Sequence, residues 1–401
     1  MLSFNQYNAS DLNEEVVRNK HLDHLEDMML LYGEQGLKDS IAFLKDIAVS
    51  LKLGKSPELK FSTKWDGKPA VVCGINPDNK KFFVATKSAF SKVVKAYHTP
   101  KEVKDAIPIA DLADKLIQCL KHLPKIGIKG VLQGDLMFGE GAKKMVTLNG
   151  VEHIAFQPNT IMYAIPAKSE MGQRIANAKL GIAFHTEYGG NSMESLSAKT
   201  FNFDSSKLKK TADVWFTDPN IYDITPALLQ PGEYDNLSKM IGECEALSKK
   251  VLPFLKTLKA NADLMEILMP YINSTIGGGM TNYTPNGLNL YVTTRMDKEI
   301  EKLKSEKGKQ SREAQKQKLL DFVKTYSSQF GDMFTLHNRL ANCKEILLNK
   351  FNAIGAFGHF FVDDEGIRPT DPEGIVVSRS GRVVKLVNRL RFSRQNRKVN
   401  Q

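Results

Sequence analysis

Cysteine is scarce in this chain of 401 residues. There are four, Cys73, Cys119, Cys244 and Cys343, and no two stand close enough to form a C-x-x-C pair. That spacing excludes the common zinc and dithiol motifs and leaves four reduced structural thiols, the usage of a cytosolic protein. Long apolar runs are missing too: none approaches the roughly 20 residues that span a bilayer. The opening residues, from Met1 to Asn8, lack a basic stretch followed by an apolar one, so neither a membrane anchor nor a secretory signal is expected. The triplet Gly277-Gly278-Gly279 is not followed by Gly-Lys-Ser/Thr, which removes a P-loop and leaves a flexible turn. No internal repeat is visible. The expected location is the cytoplasm, the host's if the protein is viral, and the expected state is a monomer.

Positive charge, by contrast, is plentiful: 56 Lys and Arg against 45 Asp and Glu give a formal net charge of +11. An excess of that size points to a polyanionic partner, with nucleic acid the first candidate and an anionic membrane surface the second. Hydrophobic residues make up 42% of the chain, enough to build the cores of two domains. From about Asp11 to Leu53 apolar residues recur at helical spacing, with Gly33 and Gly36 dividing two helices. Short strands follow. Val71-Val72 and Phe82-Phe83-Val84 flank a turn at Asn76-Pro77-Asp78-Asn79 and predict a hairpin. Helices are expected over Ala110–His122 and Met171–Lys179, and strands over Gly130–Phe138, Thr160–Ile165 and Ile182–Thr186. A mainly helical stretch comes next, with helices near Tyr234–Leu258, Met296–Lys307, Ser311–Phe330 and Phe334–Phe351. It is dense in lysine (Lys302, Lys304, Lys307, Lys309, Lys316, Lys318), a pattern that suits a solvated helix face as well as a phosphate-binding one. Strand character returns at Gly374-Ile375-Val376-Val377 and at Arg382–Val387.

The tetrapeptide Lys64-Trp65-Asp66-Gly67 lies between two short strand patterns. A lysine there suits nucleophilic catalysis, provided neighbouring cations such as Lys68, Lys87 and Lys385 favour its neutral amine. Gly67 lets the backbone turn tightly. Alone, the tetrapeptide fits an exposed Lys-Asp turn better. His21 and His24, three apart, lack an evident third ligand and predict a surface helix rather than a metal pair.

The later motifs change the weight of Lys64, because they come in a characteristic order. With Lys64-Trp65-Asp66-Gly67 stand Thr86-Lys87-Ser88, Gln133-Gly134-Asp135-Leu136, Thr160-Ile161-Met162-Tyr163, Asp371-Pro372-Glu373-Gly374 and Val384-Lys385-Leu386-Val387. This succession resembles the covalent nucleotidyltransferases, the superfamily of DNA ligases, RNA ligases and mRNA capping enzymes, and is most similar to phage-type ATP-dependent polynucleotide ligases. The resemblance covers about residues 55–190 and 370–392. It implies an α+β, ATP-grasp-like adenylation domain with antiparallel sheets. That domain would be split into a first part over 1–205 and a last part over 366–401 by a large helical insert over 206–365, a candidate nucleic-acid clamp.

The same resemblance implies the chemistry. Lys64 attacks the α-phosphorus of ATP to give a lysyl–AMP phosphoramidate, with Asp66 and Lys385 as further catalytic residues. Glu373 and Asp135 hold Mg²⁺ (or Mn²⁺), Asp135 also facing the ribose. Gly67, Lys68, Lys87 and Lys385 border the nucleotide, and Tyr163 or Phe184 stacks on the adenine. The substrates would be 5′-phosphate and 3′-hydroxyl ends of RNA or DNA; a GTP-using capping enzyme and a nucleic-acid-binding protein with a degenerate site are the alternatives. The chain departs from the pattern at Pro69, where ligases often carry arginine, at Val387, where a second lysine is common, and at Ser62-Thr63, where an acid often reads the adenine. No OB-fold is expected after the last motif, and Arg389, Arg391, Arg394, Arg397 and Lys398 form a basic tail in its place.

Overall fold

A glycine sets the shape of the first helix. Within the helical run Met28–Leu53, Gly33 takes φ 61° and ψ −132°, a conformation closed to most side chains, and divides the run into two segments at a kink. The computed structural model describes residues 22–56, 58–200, 203–355, 357–363, 366–380 and 382–390. The helices, in chain order, are α1 (Met28–Leu53), α2 (Pro100–Ala106), α3 (Ala110–His122), α4 (Glu170–Asn177), α5 (Pro231–Lys259), α6 (Ala262–Gly277), α7 (Pro285–Glu301), α8 (Glu306–Thr325) and α9 (Ser327–Phe351). The strands are β1 (Lys60–Lys64), β2 (Ala70–Ile75), β3 (Phe82–Ala85), β4 (Val131–Phe138), β5 (Lys143–Leu148), β6 (Val151–Phe156), β7 (Ile161–Pro166), β8 (Leu180–Gly189), β9 (Ser197–Thr200), β10 (Val214–Thr217), β11 (Asn220–Ile221), β12 (Gly358–Asp363), β13 (Gly366–Pro369), β14 (Gly374–Arg379) and β15 (Arg382–Leu386). The fold is mixed α+β with mostly antiparallel sheets. No described helix is long and apolar enough to cross a membrane.

The chain divides into two units. Unit 1 takes in Trp65–Asn220 and Phe357–Val362; unit 2 takes in Leu22–Lys64, Ile221–Ala356 and the residues from Asp363 onward. This partition differs from the one expected from sequence, because the apolar stripe of α1 belongs to the helical unit. Leu37, Leu44, Ile47 and Leu51 of α1 share one core with Cys244, Val251 and Leu255 of α5 and with Leu340 and Leu347 of α9.

In unit 1 the first sheet runs β10-β8-β4-β2-β3, antiparallel except for β10 on β8. Helix α3 buries Ala113, Leu116 and Cys119 in one core with Val71, Leu132, Leu136 and Ile182 of that sheet. A second antiparallel sheet carries the order β12-β7-β6-β5. The β5–β6 hairpin turns at Asn149-Gly150, both at positive φ, a strong hairpin signal that sequence reasoning passed over.

In unit 2, β1, β14 and β15 form an antiparallel ribbon. Its apolar face, Phe61, Ile375, Val377, Val384 and Leu386, joins the helical core. Helix α6, which carries Pro270 inside it, is absent from the sequence expectation.

Unit 2 also buries charge. Lys344 Nζ donates to Glu26 Oε1 at 2.5 Å, with both side chains at most 4% exposed. Asp27 meets His337 Nε2 at 2.9 Å and receives Arg389 Nη1 on both carboxylate oxygens at 2.9 Å. Burial disfavours ionised Glu26 and Asp27, but Lys344 on the one and His337 with Arg389 on the other outweigh it, so both stay below the usual carboxylate range. Burial likewise holds His24 neutral, with its pKa down at about 2; Glu26 opposes that shift and Arg389, Lys385 and Lys344 reinforce it.

A pH dependence follows. Below about pH 6.5 the unfolded chain protonates His24 while the fold does not, so the unfolded state binds more protons and stability falls by about 1.4 kcal/mol per pH unit. Between pH 6.5 and 5 urea denaturation should therefore lose about 2 kcal/mol, and His24→Asn should flatten the slope. A wild-type midpoint constant over that range would contradict the burial of a neutral His24.

Candidate active site

The ribbon of unit 2 brings together three residues picked out from sequence. Lys64 ends β1 and stands in register with Gly374; Ser62, Val376 and Lys385 form the neighbouring row. Side chains alternate with period two along a strand, so Lys64 and Lys385 emerge on the same face, opposite the apolar one. Lys64 Nζ donates a hydrogen bond to Glu373 Oε1 across 309 positions of sequence. Both side chains remain partly accessible, Lys64 at 30% and Glu373 at 15%, which leaves the pair open to a ligand.

Lys385 is half-buried, and its pKa is lowered by that burial and then by the charge of Lys64, with Asp23 opposing. Its backbone N–H donates to the Asp23 carbonyl at 3.0 Å, and His24 bridges to it alongside. Gly374 is required here. At φ 158° a Cβ would lie 2.3 Å from the Leu386 carbonyl oxygen, so any side chain would force β14 off β15 just beside Glu373.

Unit 1 holds the other predicted residues and revises the roles expected for several. Asp66 is 8% exposed. Its Oδ2 accepts the backbone N–H groups of Thr160 and Ile161 at 2.7 and 2.8 Å, and its Oδ1 accepts Asn159 Nδ2 at 2.8 Å. Its own N–H donates to Tyr163 Oη at 2.7 Å. A carboxylate filled in this way pins the turn before β7 and acts as a positioning group rather than a catalytic one.

Gly67 is explained by a close approach inside the protein, since a Cβ there would lie 2.5 Å from Asp135 Cβ. Tyr163, 1% exposed, sits in a ring cluster with Trp65 at 5.1 Å and Phe156 at 5.6 Å between centroids, joined by Trp215 and Phe357. Phe184, fully buried, packs edge-on to Phe203 in the sheet core. Neither ring has a face left for a base, so the expected stacking role passes from both. Lys68 and Lys87 are exposed.

On β8 the open position is the one after Phe184. His185 is the extra residue of a β-bulge, between Phe184 opposite Gly134 and Thr186 opposite Gln133, and the bulge turns it toward Asp135. Its Nε2 lies 3.8 Å from Asp135 Oδ2, and its Nδ1 is 2.7 Å from Thr186 Oγ1. Sequence reasoning passed over His185, and strand alternation could not have found it, because the bulge interrupts the alternation there.

Among the described residues no group of three or more His, Cys, Asp or Glu forms a metal cage. Mg²⁺ needs none: it takes one or two carboxylates and completes its shell with water and substrate phosphates. Glu373, a partly open carboxylate with a hydrogen-bonded amine, fits that single-carboxylate role.

His21 lies outside the described residues, and His24 is held beside Lys385 instead of on a surface helix. Of the basic tail, Arg389 is committed to Asp27, and Arg391, Arg394, Arg397 and Lys398 lie outside the described residues. Of the insert's lysines, Lys309 pairs with Glu306 and Lys316 with Asp297 and Glu313; Lys302, Lys304, Lys307 and Lys318 are exposed.

One known family matches the chain, over residues 19–401: a family of unknown function (DUF6267). No curated protein and no solved structure matches.

Proposed function

Because the chain belongs to DUF6267, a family that assigns it no activity, we propose from its own residues that it is an ATP-dependent covalent nucleotidyltransferase of the polynucleotide-ligase kind, with Lys64 as nucleophile. One observation carries the proposal: Lys64 and Glu373, chosen separately as motif residues, meet in a hydrogen bond on a ribbon that presents Lys385 on the same face. A chance K-x-D-G turn has no reason to find a distant carboxylate at its amine and a second lysine on the same face.

Each residue has a part in that reaction. Lys64 Nζ forms the new N–P bond to the α-phosphorus while the bond from that phosphorus to the pyrophosphate oxygen breaks. The amine must lose a proton to solvent before it attacks, and Glu373 Oε1, accepting its hydrogen bond, holds it in place. Lys385, its charge little hydrated where it is half-buried, stabilises negative charge on the α-phosphate more strongly than an exposed lysine would. A Mg²⁺ held by Glu373 would neutralise the charge of the triphosphate.

The test is transfer of label to the full chain from α-³²P-ATP, with GTP in parallel, in Mg²⁺. Acid-labile, alkali-stable label from ATP is expected, followed by sealing of nicked RNA or DNA. Label from GTP alone would replace the ligase with a capping-type enzyme. No label from either, in folded protein free of bound AMP, would leave a nucleic-acid-binding protein.

A further inference from the structure

We infer that Arg389, seated on Asp27, is a positioning residue for Lys385 and sets how that lysine meets the nucleotide phosphate; this rests on the nucleotidyl-transfer proposal above. Sequence reasoning places Arg389 only in a basic tail, which stands where the ligase pattern would continue. The structure uses it differently. Its side chain is 11% exposed. Nη1 donates to both oxygens of Asp27 at 2.9 Å, and Nη2 donates to Asn273 Oδ1 on α6.

Asp27 is itself fixed from the other side by His337 of α9 at 2.9 Å. Arg389 therefore ties the chain just after β15 to the helical core at two points. The other side of β15 is tied by the Lys385 N–H to the Asp23 carbonyl and by the bridge to His24. Asp23, His24 and Asp27 lie within five consecutive residues, so one short segment holds Lys385 both at its own backbone and four residues further on. The charges of Arg389 and Asp27 also reach Lys385, one disfavouring and the other favouring its protonated form. A guanidinium bonded to a buried carboxylate and to an amide oxygen is committed to the protein, and is well placed to fix the strand that carries a phosphate-binding lysine.

The experiment is a double-mutant cycle on the full chain. Label uptake from α-³²P-ATP is measured over a range of ATP concentrations for wild type, Arg389→Ala, Lys385→Ala and the double variant, with melting curves for each. Arg389→Ala should raise the KM for ATP about tenfold, and the double variant should be no worse than Lys385→Ala alone. Arg389→Lys should restore part of the loss. A simple loss of stability would lower the melting temperature and the labelled fraction without producing that non-additivity.

Should Arg389→Ala not fold, Asn273→Ala removes only the outer contact. Its smaller rise in KM should vanish in the Lys385→Ala background. An unchanged KM, or losses that multiply, would overturn the inference while leaving Lys64 labelling intact. An unlabelled wild type would instead overturn the proposed function, and this inference with it.

Discussion

Lys64→Ala should take no label from α-³²P-ATP, a loss of at least about a thousandfold, since no other residue substitutes for a covalent nucleophile. The sharper variant is Lys64→Arg. A guanidinium keeps the positive charge and can still pair with Glu373, but it stays protonated at any working pH and so has no lone pair to offer phosphorus. It should melt like wild type and be as inactive as Lys64→Ala. Alanine, by contrast, removes the cation beside Glu373 and mixes loss of chemistry with a change in local charge. Wild-type labelling of Lys64→Arg would move the covalent site to another lysine and remove the basis of the proposed function.

Lys344→Met should cost about 3 kcal/mol of stability, because it leaves the buried Glu26 carboxylate with only Arg389, 4.0 Å away and shared with Asp27, as a cation. The pair lies deep in unit 2, bonded at 2.5 Å, with neither side chain more than 4% exposed. Pairing Lys344→Met with Glu26→Gln removes both charges and should restore most of the loss, since a neutral pair of similar volume avoids the desolvation of two ions. Denaturant titrations of the two variants and wild type give the comparison directly. A loss below about 1 kcal/mol for Lys344→Met alone would mean that Glu26 reaches water or another cation when Lys344 is gone.

Much of this was legible in the sequence, for reasons that differ by residue. The β2–β3 hairpin announced itself by Asn76-Pro77-Asp78-Asn79, and α3 by its apolar spacing; both lie where periodicity placed them. Lys64 and Glu373 were legible as motif residues. Their contact was not, because pairing across 309 positions is decided by the register of β1 on β14. Asp66 was legible as important but not in its role, because its three donors come from a turn at Asn159–Ile161 with no marked pattern of its own. Tyr163 and Phe184 were placed at a ligand because an aromatic side chain serves packing and stacking equally well, and only burial separates the two. The charges of Glu26, Asp27, His337 and Lys344 look like ordinary helix surface in sequence, because nothing local says that their partners come from another helix.

The pairing of β1 with β14 also bears on how the protein is made. Lys64 leaves the ribosome 309 residues before Glu373, which at about 5–20 residues per second is a wait of about 15–60 s. Through that interval β1 has no β14 to pair with. In unit 1, β7 likewise waits for β12. Unit 1 cannot close before β12 emerges, nor unit 2 before β14, so both contain contacts of long sequence separation, the kind that fold slowly. Fragments cut before Gly374 would carry the Lys64 motif intact and yet lack the strand that gives it a partner. For expression work the natural unit is therefore the full chain, and a piece chosen around the motif would bring Lys64 without its setting.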